Sequence, residues 1–522
     1  MVMNDADRNQ MILPDRAPAD SDPTLTGPLR YWAEVRPDGS ALTSDGVTRT
    51  WAQLHERVLR VAQGLLAEGV RPGDRVVYLA RNRAEFYEIA YGASLVGAVL
   101  AAINWRLSPA EMSALLSRSE PAVLFAEPAL VAPLESLAAR TVIGLGDPVT
   151  GFTQWLSRHP AVDPPQRLTP SEPVLQMYTS GTTGLPKAAV FSHSAIRAAT
   201  VVAEISATGP DSVVLVSLPV FHAAGGGMGF LSLCLGAHVV VSSDLSPEGF
   251  VRQVQQFGVT TTVVVPTVLQ MLVDSPVLET ADLSSLDRLG YAGAPMSPQL
   301  QQECLARLPC RLFQVYGSTE VMSGTGLDHA DHVDDEHPQR RNSVGRALPG
   351  TELRVVDPVT GLDRPDGTPG EVWVRNRTSM TGYWREPEQT AQVITTDGFV
   401  RTGDGGYLRD GYLYLSDRIR DVIISGGENV YPTEVENVLV EHPAVADVGV
   451  VGAPSRRWGE TVRAVVVRRP GTAVEADELV AFCRERLAHF KCPTIVDFVD
   501  LLPRNASGKI LRRKLREPEG AG

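Results

Sequence analysis

A large doubly wound α/β body with a β-rich subdomain, followed by a small α+β domain, is the fold class this sequence predicts, and three observations predict it. The chain has 522 residues, more than one hydrophobic core supports, and length alone suggests roughly two to four domains. Between about Asp74 and Tyr316, Val-rich runs of strand length alternate with helix-period segments, the pattern of parallel strands covered on both faces. After Thr351 the runs shorten and turn residues crowd in (Pro358, Gly361, Pro365, Gly367, Gly370).

Taken in order, residues 1–25 carry no apolar pattern and are expected to be loose; with no apolar core they are not a signal peptide. The large domain is expected over 26–417. In it, 75–80 reads as a strand, 84–95 as a helix and 122–125 as a short strand. The apolar run 89–103 is too short to span a bilayer and reads as a buried helix passing into a strand. Further strands are expected at 212–218, 238–242, 261–265 and 312–316, with a helix at 297–308. Residues 351–416 read as a β-rich, largely antiparallel subdomain. The small domain is expected over 418–522, with helices at 433–441 and 476–487 and strands at 445–451 and 462–467.

Hydrophobic residues make up 43% and charged residues 21%, the balance of a globular chain, and a net charge of −13 argues against nucleic acid as a partner. Five cysteines, an odd number without a Cys-x-x-Cys pair, fit a reduced cytoplasmic setting rather than a disulfide framework or zinc site. No integral membrane segment is read, and a homodimer is left open.

Tyr178 to Lys187 reads Tyr-Thr-Ser-Gly-Thr-Thr-Gly-Leu-Pro-Lys. Glycines let backbone N–H groups approach an anion, hydroxyls add donors and the lysine adds positive charge, which together make a polyphosphate cradle. It is not the common P-loop, because Leu185 and Pro186 separate Gly184 from Lys187. Downstream, Tyr316-Gly317-Ser318-Thr319-Glu320 places an aromatic, two hydroxyls and a carboxylate after a strand. Tyr291-Ala292-Gly293-Ala294-Pro295 is a small-residue turn suited to lying against a ring, and Asp404 is a carboxylate able to accept both hydroxyls of a ribose. Lys509 follows a glycine near the chain's end.

With these motifs in this order, the chain resembles the adenylate-forming superfamily of acyl-CoA synthetases, luciferase and peptide-synthetase adenylation domains, from about Thr50 to Arg516. Ser425-Gly426-Gly427-Glu428 and Trp458-Gly459-Glu460 look most like fatty- or aryl-acyl-CoA synthetases. The resemblance implies ATP, Mg²⁺ and CoA, with an apolar carboxylic acid as the small-molecule substrate. It implies that Thr179, Ser180, Gly181, Thr182, Thr183, Gly184 and Lys187 hold the β- and γ-phosphates. Gly293, Ala294 and Pro295 would flank adenine, and Tyr316 would stack on its other face. Thr319 would touch the α-phosphate, Glu320 would hold Mg²⁺, Asp404 and Arg418 would bind the ribose, and Lys509 would bridge α-phosphate and carboxylate. Arg420 corresponds to a hinge at 418–421, where Asp or Lys is commoner. Gly426, Gly427 and Trp458 would meet the pantetheine arm of CoA. His222 and Ala292 would border the acyl group, and Gly225 to Gly229 would leave its tunnel free of bulk. Lys491 reads equally as a contact to CoA phosphates or as a solvated helix-end lysine. The segment Asp328 to His337, rich in His and Asp, reads as a solvated variable loop. The resemblance leaves open a non-CoA acceptor (a carrier-protein thiol or an amine) and a relative that activates nitrite.

Overall fold

The computed structural model describes residues 22–134, 136–146, 151–165, 168–179, 186–418, 421, 423–425, 428–430, 432–455, 459–504 and 510–516. Helix starts follow side-chain chemistry. Thr50 and Ser108 each form a capping box, with Gln53 and Glu111, while Ser246 and Ser297 cap helices that open on proline.

Two large sheets form the body. One has thirteen strands. Its central strands, Ser40–Ser44, His238–Val241, Val213–Val216, Thr261–Val264, Arg288–Ala292 and Arg311–Tyr316, are mutually parallel. The expected antiparallel region continues this same sheet: Thr325–Leu327, Arg346–Ala347, Tyr412–Arg418, Val400–Arg409, Gly370–Arg375 and Glu352–Val356 follow one another in hydrogen-bonded order. The second sheet has seven strands, with Pro173–Tyr178, Val99–Ala102, Arg75–Leu79, Pro121–Ala126 and Thr141–Gly144 parallel. Ala188–Ser192 returns antiparallel to Pro173–Tyr178, so the Tyr178–Lys187 segment joins two neighbouring strands of one sheet. The small C-terminal unit has a separate sheet of five strands, covered by helices Pro432–Val440 and Ala476–Arg484.

Helices Trp51–Ala67, Glu85–Leu95 and Ala223–Cys234 lie between the two large sheets and share one core with both. Phe230 is the hub: the rings of Tyr87, Phe86 and Tyr91 stand 5.1, 5.8 and 5.8 Å from it. A fully buried ring of this size contributes about 1.5–3 kcal/mol. The remaining helices cover the outer faces, giving a layered α/β body of the expected class. The run at 89–103 is buried helix passing into buried strand, as expected. Among the described residues, no helix is long and apolar enough to cross a membrane. All five cysteines are free and buried.

Two expectations need correction. Within residues 1–25, Leu25 is buried and donates its N–H to His193 Nδ1 at 3.0 Å, so the packed chain begins before residue 26. The segment Asp328 to His337 is not simply solvated. His332 is fully buried, accepts or donates to Tyr291 hydroxyl at 2.9 Å and meets Asp328 O at 2.7 Å, while Tyr412 donates to Asp331 at 2.6 Å. Charged composition misled here because the side chains bond back to the sheet, a long-range effect that local polarity does not report.

Glu88, completely buried in helix Glu85–Leu95, is held by Arg49 at 2.6 Å and Arg57 at 2.8 Å. Removing the shared carboxylate strands two guanidinium groups in a poorly solvated place. Glu88→Ala is therefore expected to lower the unfolding free energy by about 3–5 kcal/mol in urea titrations; a loss under about 1 kcal/mol would show the ions to be well solvated.

Candidate active site

Pro173–Tyr178 of one sheet and several parallel strands of the other end on loops that border one cavity of about 1450 Å³, whose lining includes Thr433, Glu436 and Arg512 of the C-terminal unit. Such crevices beyond strand C-termini are where open α/β sheets bind ligands. Thr179 follows Pro173–Tyr178, His222 follows Val213–Val216, Ala292 to Pro295 follow Arg288–Ala292, and Gly317 to Glu320 follow Arg311–Tyr316.

The ends of the segment expected to cradle polyphosphate are joined by Thr179 N–H donating to Lys187 O at 2.8 Å. Tyr178 anchors it from below: its hydroxyl meets Ser119 Oγ at 2.5 Å and accepts from Gln176 at 2.9 Å, and Arg75 in turn donates to Gln176 at 3.2 Å. The Lys187 ammonium stands 5.0 Å from the Tyr383 ring centre. Ala188, directly after the lysine, is buried and begins the strand Ala188–Ser192. Ser180, Gly181, Thr182, Thr183 and Gly184 lie outside the described residues.

Glu320 is held by two hydroxyls, Ser318 Oγ on one oxygen at 2.9 Å and Tyr383 on the other at 2.7 Å. Burial, with Glu320 beside it, pushes the Tyr383 phenol up, so at neutral pH it is a donor. Tyr316 hydroxyl donates to Asp404 at 2.9 Å, joining the residues expected at adenine and ribose. Arg418 pairs with Asp404 in the antiparallel register. Gly293 has φ +82°, where a Cβ would meet Val265 Cγ1 at 3.8 Å, and its backbone lines the cavity beside Ala294 and Pro295. Thr319 lines the same wall.

His222 is the N-cap residue of helix Ala223–Cys234 and lines the cavity with Ala292. Burial, helped by the Arg106 charge, lowers its pKa to about 4, and its Nε2 finds no hydrogen-bond partner among the described residues. A neutral imidazole with a buried, unpartnered nitrogen therefore sits in the cavity wall, whose lining also includes the apolar Ala199, Val202, Leu218 and Leu231. The loop before it is stitched by Asn82, which donates to Leu218 O at 2.8 Å and Ser242 O at 3.0 Å and accepts from Val220 N–H at 3.0 Å.

Sequence reasoning missed Asn82 and Tyr383. Asn82 was detectable as an uncharged polar residue directly after a buried strand; Tyr383 carries no local signal, because its partners are remote in sequence. Lys491 is engaged: its ammonium meets Glu434 at 2.6 Å. Lys509, Arg420, Gly426, Gly427 and Trp458 lie outside the described residues. Flanking Lys509, Arg504 pairs with Asp447 at 2.7 Å and Arg512 with Glu436 at 2.8 Å, and all four line the cavity.

A cleft of this kind on this fold defines a nucleotide-dependent adenylating enzyme, and comparison with known proteins agrees. Residues 29–384 match the model of the AMP-binding enzyme family and residues 434–509 that of the AMP-binding enzyme C-terminal domain. A fatty acid–[acyl-carrier-protein] ligase of Streptomyces coeruleorubidus is 39% identical over 95% of this chain and 96% of its own. A feruloyl-CoA synthase of an Amycolatopsis species is 38% identical over 94% of this chain and 97% of its own. The structure of an amide bond synthetase from Marinactinospora thermotolerans superposes with TM-score 0.83 at 30% identity, covering 94% of this chain and 99% of that one. The chain belongs to the AMP-binding enzyme family of adenylate-forming ligases and is an AMP-forming acid–thiol ligase.

His193, His222 and His332 all titrate near 4 because burial disfavours the cation. In the unfolded chain each takes a proton near 6.5, so below that pH the unfolded state binds protons the folded state refuses. Stability is thus full above pH 6.5 and falls as pH drops toward 4, by about 1 kcal/mol per pH unit per histidine. Thermal unfolding is expected to show a lower midpoint at pH 5 than at pH 7; equal midpoints would contradict buried neutral imidazoles.

Proposed function

We propose that the protein is an ATP-dependent acyl-CoA synthetase acting on an apolar carboxylic acid, fatty or aromatic, in the cytoplasm. The acid is joined to the α-phosphate of ATP as an acyl-adenylate with release of pyrophosphate; the thiol of CoA then displaces AMP. The observation that carries this reading is the single cavity bordered by Lys187, Glu320, Asp404 and the neutral His222, with an apolar end and no charged side chain among Ala199, Val202, Leu218 and Leu231.

The division of labour follows from charge. A carboxylate and a triphosphate repel each other, by roughly 4 kcal/mol for each pair of unit charges at 4 Å and an effective dielectric of 20. On this reading Lys187 and the Thr179–Gly184 loop hold the leaving pyrophosphate, Thr319 contacts the α-phosphate and Lys509 bridges it to the acid. Gly293, Ala294, Pro295 and Tyr316 enclose adenine, while Asp404 and Arg418 hold the ribose. The neutral His222 borders the carboxyl end without adding charge.

Magnesium fits this donor set in one manner only. Among the described residues no three ligating side chains gather, but the Glu320 carboxylate faces the cavity, oriented by Ser318 and Tyr383. One carboxylate suits an ion carried in on nucleotide phosphates rather than a resident one. When bound, it would neutralise phosphate charge and polarise the phosphoryl oxygens. For the second half-reaction, rotation of the small domain about Arg420 would withdraw Lys509 and bring Gly426, Gly427 and Trp458 to the thiol arm.

A carrier-protein thiol is the alternative acceptor, favoured by the relative from Streptomyces coeruleorubidus, which is an acyl-carrier-protein ligase. Incubating the enzyme with ATP, Mg²⁺, a mixed acid panel, CoA and a phosphopantetheinylated carrier protein, read by mass spectrometry, separates the two. Acyl-CoA with AMP is the expected product. Acylated carrier without acyl-CoA would replace CoA as acceptor, and no adenylation of any acid would overturn the reading altogether. Lys509→Ala is expected to lower adenylation by about 10²–10³ while leaving a preformed acyl-adenylate usable by the thiol. Equal loss of both half-reactions would contradict the assigned role.

A further inference from the structure

Two cavity-lining groups of opposite charge, Lys187 and Glu320, reach the site from different sheets. Lys187 immediately precedes strand Ala188–Ser192 of the seven-stranded sheet, and Glu320 follows Arg311–Tyr316 of the thirteen-stranded one. Segment 380–384 bridges them. Thr381 and Trp384 donate their N–H groups to Val190 O and Ala188 O, each at 2.8 Å, and Met380 N–H donates to Glu320 O at 2.8 Å. Between these ties lies the two-residue strand Gly382–Tyr383, paired antiparallel with Val190 and Ala189. The buried Tyr383 is therefore held by backbone bonds to both sides of the site.

Its side chain meets both charges. The hydroxyl donates to one oxygen of Glu320 at 2.7 Å, and the Lys187 ammonium stands over the ring, 5.0 Å from its centre. The two charges form no ion pair with each other among the described residues; each is turned to a neutral group instead. Charge alone favours a different arrangement. A flexible ammonium and a carboxylate in one partly buried cavity attract strongly, and direct contact is the natural outcome. Contact would spend both groups, leaving the lysine with less charge for a phosphate and the carboxylate with less for a cation. A phenol meets both without neutralising either, because its ring face attracts a cation and its hydroxyl donates to an anion.

We propose that Tyr383 is a positioning residue, a neutral spacer that keeps Lys187 from pairing with Glu320 and so leaves the lysine available to the phosphates of the nucleotide. This rests on the adenylating reading above.

The test is calorimetric titration of the full-length protein with ATP in EDTA, where no metal contributes. Tyr383→Ala is expected to raise the Kd by about tenfold or more, since the lysine then pairs with Glu320. Tyr383→Leu, which keeps more of the packing, should raise it by about threefold or more, and it decides alone if melting shows the Ala variant to be misfolded. Tyr383→Phe, which keeps the ring under the ammonium, should stay within about twofold of wild type. In a Glu320→Gln background, where no ion pair forms, the Ala and Leu substitutions should change the Kd by less than about twofold, a rescue that a merely structural role would not give. Equal losses in both backgrounds, or no loss in the native one, would overturn the spacer while leaving ATP binding intact. Binding by wild type with Mg²⁺ but not in EDTA would overturn it likewise. A wild type that binds ATP under neither condition would overturn the adenylating reading and the spacer with it.

Discussion

The close seating of helix Ala223–Cys234 between the two large sheets is the constraint on which the rest of the molecule depends. From Gly225 to Cys234 every residue is buried, and three glycines accept carbonyl or phenol oxygens where a side chain would stand. Each helical glycine costs about 0.5–1 kcal/mol relative to alanine. That cost is offset by the aromatic cluster of Phe86, Tyr87, Tyr91 and Phe230, which the approach makes possible. The same seating sets His222 at the helix N-terminus, lining the cavity.

The electrostatic side of the site is arranged through neutral groups. Tyr383 offers its ring face to the Lys187 ammonium and its hydroxyl to the Glu320 carboxylate, so one phenol contacts a cation and an anion of opposite tasks. Tyr316 similarly engages Asp404. Hydroxyl donors orient a carboxylate without cancelling its charge, which leaves it able to serve a cationic or hydroxylic ligand. The buried His222 in the cavity wall is neutral as well, because burial disfavours its cation.

The C-terminal unit contributes a different kind of order. Its core is its own, and its cavity-facing residues are tied by ion pairs within the unit, Arg512 to Glu436 and Arg504 to Asp447. Pairs that stay inside one body do not have to be broken when that body changes its orientation. The proposed rotation of the small domain would leave these pairs intact.

Much was legible locally. Val-rich runs specified buried parallel strands, the helix expected at 297–308 forms as Pro298–Arg307, and the motifs assigned by resemblance to phosphate, adenine and ribose read in order because each lies in contiguous residues. What local pattern could not carry were partnerships across the fold. Tyr383 and Glu320 are 63 residues apart, and Asn82 reaches carbonyls more than 130 residues away. The acidic stretch around His332 looked solvated because polarity was counted without knowing that Tyr291 and Asp328 would absorb its hydrogen bonds. Sequence by itself determined the reaction class, since the Tyr178 to Lys187 motif and the Tyr316 to Glu320 motif are each written in contiguous residues. Tertiary structure alone decided that Tyr383 holds Glu320 and that His222 lies buried and neutral in the cavity wall, because both depend on segments that the chain does not place side by side.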